Sequence, residues 1–182
     1  GSLGSSTVSL NANTTLQSGG IAVLGSAQGV TLEGSANFDT NGNSMRISGV
    51  IDDGGMTFGL TKIGTGTLTL SNTNTYTGLT NINTGTLALL NSGSLDSSGA
   101  VNVTGTFDIT QISGSSTQIG NLTGTGSVML GVKELVANIT GPSISYSGTL
   151  SDGGAGGSFQ KAGSGRLILT GGNNYNGGTT VS

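Results

Sequence analysis

The 182-residue chain contains 36 glycines and one proline, has no Cys, His or Trp, and carries a formal net charge of −3. The missing residue types exclude a disulfide scaffold, haem and zinc centres, and any nucleophilic site that depends on a histidine base. Charged residues make up only 7% of the chain, and its cations (Arg46, Lys62, Lys133, Lys161 and Arg166) are dispersed, which excludes a run of phosphate contacts and so nucleic acid as a partner.

Residues 1–6, Gly-Ser-Leu-Gly-Ser-Ser, have neither the basic start nor the apolar run of a signal peptide. The longest apolar runs, Ile21–Leu24 and Leu87–Leu90, are four residues each, against about twenty for a helix that crosses a bilayer. No membrane insertion by this segment is expected. Asp39-Thr-Asn-Gly42 reads as a turn, as does Asp52-Asp53-Gly54-Gly55. Strict alternation of apolar and small polar residues then appears at Thr67–Leu70, Thr86–Leu89, Val101–Val103 and Phe107–Ile109. Alternation turns one set of side chains inward and the other to water. No apolar period of 3.6 survives the intervening Gly and Thr, so the chain is expected to be all-β. Its 32% of apolar residues fall into such clusters, which argues against disorder.

The strongest signal is an internal repeat. Residues 42–83 align without gaps on 141–182 at an offset of 99, with 16 of 42 positions identical. The shared signature is Lys62, Gly64, Gly66, Leu68, Leu70, Asn74, Tyr76 and Gly78 against Lys161, Gly163, Gly165, Leu167, Leu169, Asn173, Tyr175 and Gly177. Strands this short cannot stand as a free sheet. Coiled into turns of roughly twenty residues and stacked, they bury continuous apolar ladders. The reading is a single segment, 1–182, forming a right-handed parallel β-helix, with about five turns in each 99-residue period. Leu68, Leu70, Leu87, Leu89, Val101, Val103, Leu167 and Leu169 are expected to face inward, and residues 99 apart to share one angular position. Lys62 and Lys161 are expected to lie along the outer wall. Tyr76 and Tyr175 are expected to pack over a corner and hydrogen-bond through their hydroxyls, against the alternative of stacking on a sugar. The competing all-β architecture, a Greek-key sandwich, would require longer strands and more aromatics.

The stretch Gly59–Leu89 closely resembles the passenger-associated transport repeat of bacterial autotransporters, and 161–182 resembles a second copy. Gly99–Ile109 and Ile119–Val128 are similar to the linking turns of such proteins. The resemblance implies a β-helical passenger on the bacterial surface or secreted from it, serving as stalk or spacer and as an aid to vectorial folding, with an adhesive role open. It identifies no ligand; the expected partners are neighbouring turns or further copies of the chain, with host or bacterial surface glycans or proteins left open.

The eight acids (Glu33, Asp39, Asp52, Asp53, Asp96, Asp108, Glu134 and Asp152) are spread along the chain. Turn carboxylates at Asp53 and Asp152 could serve calcium, but tandem Gly-Gly-x-Gly-x-Asp is missing and Asp favours turns for local hydrogen bonding. No catalytic, cofactor or metal site is expected, and no enzyme. A carbohydrate-active β-helix would need its acids gathered in one cleft. Gly64-x-Gly66 and Gly163-x-Gly165 lack the Gly-Lys-Ser/Thr of a phosphate loop. A second class of function is a filament subunit: residues 1–6 resemble Gly93–Ser98, so the two ends lie nearly in phase, and open β-helix ends favour head-to-tail stacking.

Overall fold

The computed structural model describes residues 6–182. The likeness of residues 1–6 to Gly93–Ser98 therefore falls outside the described residues at every position but Ser6. Among them no residue is helical, and every strand pairing is parallel. The first turn is β1 (Val8–Leu10), β2 (Thr15–Gln17) and β3 (Ala22–Leu24); the second is β4 (Val30–Leu32), β5 (Ala36–Asp39) and β6 (Ser44–Ile47). The third is β7 (Ile51–Asp52), β8 (Leu60–Ile63) and β9 (Thr67–Leu70). Two turns with two strands each follow: β10 (Thr80–Ile82) with β11 (Thr86–Asn91), and β12 (Val101–Val103) with β13 (Thr106–Ile112). The sixth is β14 (Ser116–Ile119), β15 (Leu122–Gly124) and β16 (Ser127–Met129). The seventh is β17 (Glu134–Asn138), β18 (Ile144–Tyr146) and β19 (Thr149–Ser151). Last come β20 (Ser158–Ala162), β21 (Leu167–Leu169) and β22 (Thr179–Val181).

Each strand pairs with the next strand on the same side of the coil, which defines a solenoid of about eight turns. The second side is one sheet of eight strands, β2-β5-β8-β10-β12-β15-β18-β21. The third side is a seven-stranded sheet from β3 to β19. The first side holds β1-β4-β7 at one end and β14-β17-β20-β22 at the other. Between those two sheets the chain crosses as turns joined by a Thr73–Ser94 bridge.

The alternating segments form strands because their inward residues stack in register. On the third side, Met45, Leu68, Leu87, Phe107, Val128 and Leu150 form one buried column. Leu70, Leu89, Val101 and Val103 are equally buried, and Leu167 and Leu169 are half-buried against the same core. Outward positions form polar columns. Thr15, Asn37, Thr61, Asn81, Asn102 and Thr123 follow one another along the second side. Asn102 Nδ2 donates to Asn81 Oδ1 at 3.2 Å, and Thr123 Oγ1 to Asn102 Oδ1 at 3.3 Å.

One expectation fails. Leu68 lies on β9 of the third side, whereas Leu167 lies on β21 of the second. The cause is uneven turn length: the step from Thr61 to its partner Asn81 is shorter than the step from Asn37 to Thr61. From Lys62 the column runs through Ile82, Val103 and Gly124 to Tyr146, always on the second side. The short stretch of chain from Tyr146 to Lys161 then passes through β19 on the third side and reaches β20 on the first. The second copy of the repeat is thus rotated by one side relative to the first.

Leu68→Asp places an unpaired carboxylate among stacked leucines and should cost several kcal/mol of unfolding free energy in urea melts. Thr67→Asp, one residue away on the outer face, should stay within about 0.5 kcal/mol. Equal losses would show that the alternation of inward and outward residues has been misread.

Candidate functional site

The recurring site is the contact between one turn and the next within each repeat. Asn74 Oδ1 accepts the backbone N–H of Ile51 at 2.9 Å, while its Nδ2 donates to the carbonyls of Asn72 at 2.9 Å and Ser94 at 2.8 Å. In the second copy Asn173 Oδ1 accepts the N–H of Leu150 at 2.9 Å, and Nδ2 donates to Gly171 O at 3.2 Å. Buried backbone groups left unpaired where strands give way to turns are satisfied here by an amide of the following turn.

Asp53 and Asp152 complete this clamp. Asp53 Oδ1 accepts the N–H of Gly55 at 3.1 Å, and Oδ2 accepts the N–H of Thr77 at 2.9 Å and its hydroxyl at 3.1 Å. Asp152 Oδ1 accepts the N–H of Gly154 at 2.7 Å, and Oδ2 accepts those of Gly156 and Asn176, each at 2.9 Å. Burial pushes the Asp53 carboxyl up, but the Thr77 N–H and hydroxyl and the Gly55 N–H outweigh it and hold it below its ordinary value of 3.8. For Asp152 the N–H of Asn176 dominates, and the carboxyl is likewise lowered. A carboxylate whose folded pKa is depressed stabilises the fold above its unfolded value and loses that contribution as pH falls through the folded one. Both aspartates therefore serve as turn-to-turn acceptors.

The tyrosines sit beside the clamp. Tyr76 is buried, and its hydroxyl lies 2.8 Å from the Oγ1 of inward-facing Thr80. Tyr175 makes the equivalent pair with Thr179, and its ring tilts against Phe159 at a centroid distance of 6.5 Å. Tyr76 has no free ring face to offer a sugar. Gly78 and Gly177 allow the following corner to touch the previous turn: a Cβ at Gly78 would lie 2.4 Å from the Phe58 carbonyl, and one at Gly177 2.4 Å from the Gly156 oxygen. At Gly66 the clash would be with Asn43 O at 1.7 Å, and at Gly165 with Gly141 O at 2.7 Å. Gly64 and Gly163 share a φ of +79°.

Lys62 departs from the expected outer-wall position. It is fully buried in the inward column between Phe38 and Ile82. Its Nζ donates to Thr40 Oγ1 (3.0 Å), Ile63 O (2.8 Å), Gly64 O (2.7 Å) and Thr84 O (3.1 Å), oxygens from three successive turns. Gly85 leaves it room, since a Cβ there would approach Nζ to 2.9 Å. Lys161 likewise turns inward, to Gly163 O. The sequence held the signal: Lys62 is two residues from Leu60 and Lys161 two from Phe159, in phase with the buried set. Burial lowers the Lys62 pKa to about 8, and Asp39 opposes that shift.

The acids do not gather into a cleft. Asp39, Asp52, Asp53, Asp96, Asp108 and Asp152 each accept the backbone N–H two residues ahead, as turn-forming carboxylates do. The described residues hold no cluster of three or more His, Cys, Asp or Glu suited to a metal.

These features define a parallel β-solenoid whose repeated element is a turn-to-turn clamp. The passenger-associated-transport-repeat family model matches residues 60–89 and 159–182, so the chain carries two copies of the repeat found in autotransporter passengers. No curated protein and no solved structure matches the chain significantly.

Two outcomes are expected. Because the unfolded lysine titrates near 10.5 and the folded one near 8, the unfolded state binds more protons in that window and stability should rise with pH. Burial also raises the hydroxyl pKa of Tyr76 and Tyr146, which removes stability above about pH 10. Urea midpoints should therefore climb between about pH 8 and 10, and Lys62→Met should abolish the climb; an unchanged slope in the variant would refute the assignment. Chelation of calcium should leave the thermal midpoint unmoved, since both oxygens of Asp53 and of Asp152 already accept hydrogen bonds from the protein. A drop of roughly ten degrees would overturn that account.

Proposed function

We propose that this solenoid is a rigid spacer in the passenger region of a bacterial autotransporter, displayed at the cell surface. The observation that carries the reading is the duplicated clamp. The same four contacts join residue 51 to 74, 53 to 77, 62 to 64 and 76 to 80, and again join the residues 99 further on. A repeat that fastens one turn to its successor at two places along the coil suits an extended rod, and the repeat family implies export to the surface. Eight turns at about 4.8 Å each give a rod on the order of 40 Å.

Assembly between copies is a second reading. Around the last described turn, Phe159, Lys161, Leu167, Leu169, Thr179 and Val181 line a cavity of about 420 Å³ opening on the core. The next turn, from this chain or from another copy, would cover it.

An antibody raised against the segment should label intact cells or the culture medium, whereas labelling only after permeabilisation would refute surface display. Sedimentation of the purified segment separates the second reading: concentration-dependent growth supports copy-to-copy stacking, and a strict monomer excludes it.

A further inference from the structure

We propose that the outer face of the third side, at the centre of the solenoid, binds a neutral saccharide unit. The site is a groove of about 220 Å³ lined by Thr67, Thr69, Ala88, Leu90, Asp108 and Gln111, with Leu89 behind it. It owes its shape to two features of the strands. Thr69, Ala88 and Asp108 follow one another in register across β9, β11 and β13, so the small Ala88 forms a floor between taller neighbours. The pairing of β11 with β13 then shifts between Ala88 and Leu90, which sets Leu90 beside Gln111 as the end wall.

The lining chemistry is unspent. Among the described residues the hydroxyls of Thr67 and Thr69 and the carboxamide of Gln111 make no hydrogen bond within the chain. Asp108 uses one oxygen, on the N–H of Thr110 at 2.8 Å, and keeps the other. Hydroxyl and carboxamide groups both donate and accept, and the carboxylate accepts, a set that matches the dual character of sugar hydroxyls. Ala88 and Leu90 offer apolar surface to the C–H face of a ring. Asp108 is the one charged group of the lining, which disfavours an anion and is too little for a divalent cation. Strands about 4.8 Å apart place β9 and β13 roughly 10 Å from each other, and alternate residues on one strand lie about 7 Å apart. A single pyranose fits that span, and the open ends let a longer glycan run on. The groove is far from both ends of the coil and does not depend on the spacer reading.

The test is titration of the ¹⁵N-labelled segment with maltohexaose, cellohexaose and chitohexaose, followed by amide chemical shifts. At least one should perturb Thr67, Thr69, Ala88, Leu90, Asp108 and Gln111 together, with a dissociation constant on the order of millimolar for so shallow a site. Ala88→Phe fills the floor and should weaken binding at least about tenfold, as should the Thr69→Ala/Gln111→Ala pair, which truncates outward side chains only. No perturbation by any of the three glycans, shifts scattered away from these residues, or binding that survives both variants would overturn the proposal. Surface labelling of cells is unaffected by either result.

Discussion

In a parallel coil every backbone N–H and C=O of a strand is committed to the turns on either side, so each side chain lies directly over its counterpart one turn away. That geometry makes the column, not the strand, the unit of selection. A column of Leu, Phe and Val is continuous core, and a column of Asn and Thr is a hydrogen-bonded outer seam. A single residue of the wrong kind inside a column has no neighbouring space to escape into. Lys62 is such a residue, placed between Phe38 and Ile82. It is tolerated because oxygens from three turns surround its ammonium. Its burial still disfavours the charged form and lowers its pKa to about 8. The same contacts that satisfy the charge tie those turns together, so a costly group acts as a local fastener.

The clamp explains how an imperfect repeat keeps its contacts. Its bonds join residues 23 or 24 positions apart: Ile51 with Asn74, Asp53 with Thr77, Leu150 with Asn173, Asp152 with Asn176. Those spans are the long turns of the coil, lengthened by the Asp-Gly-Gly loops at Asp53 and Asp152. Both loops place successive glycines at positive φ, 62° and 81° in the first copy and 63° and 83° in the second. A side chain at either position would be strained. The intervening turns, from Lys62 to Ile82, on to Val103, and from Gly124 to Tyr146, are shorter and carry no such loop. Local contacts are therefore reproduced while the side of the coil on which they fall is not.

Much of this was legible in the sequence because alternation has a fixed period and repeats align without gaps. Leu68, Leu87 and Val101 could be placed inward from their neighbours alone, and the turn aspartates from the glycines that follow them. The inward lysines were also legible, since Lys62 keeps step with Leu60; a preference for charged heads in water overrode the period. Rotation of the second copy was not legible, because it depends on the summed lengths of loops whose path the apolar pattern does not specify. Nor was the groove at Ala88, which arises from a one-residue shift between β11 and β13. Shifts of that kind follow from how two neighbouring turns settle against each other.

A clamp that reads only the turn next to it has a consequence for length. Asn74 needs Ile51 beneath it and Ser94 above it, but nothing two turns away. Adding or removing a whole turn elsewhere leaves these bonds intact and only moves the next copy along the axis of the coil. Stability in such an array is a sum of neighbour terms, so the rod can be lengthened without redesigning any part of it. A compact site assembled from distant turns would not survive that freedom, because each inserted turn would carry its members apart along the axis. A groove made by three adjacent strands would survive it, as would the clamp itself. The fold thus favours functions whose parts lie on neighbouring turns: reach, and shallow surface contact along the rod.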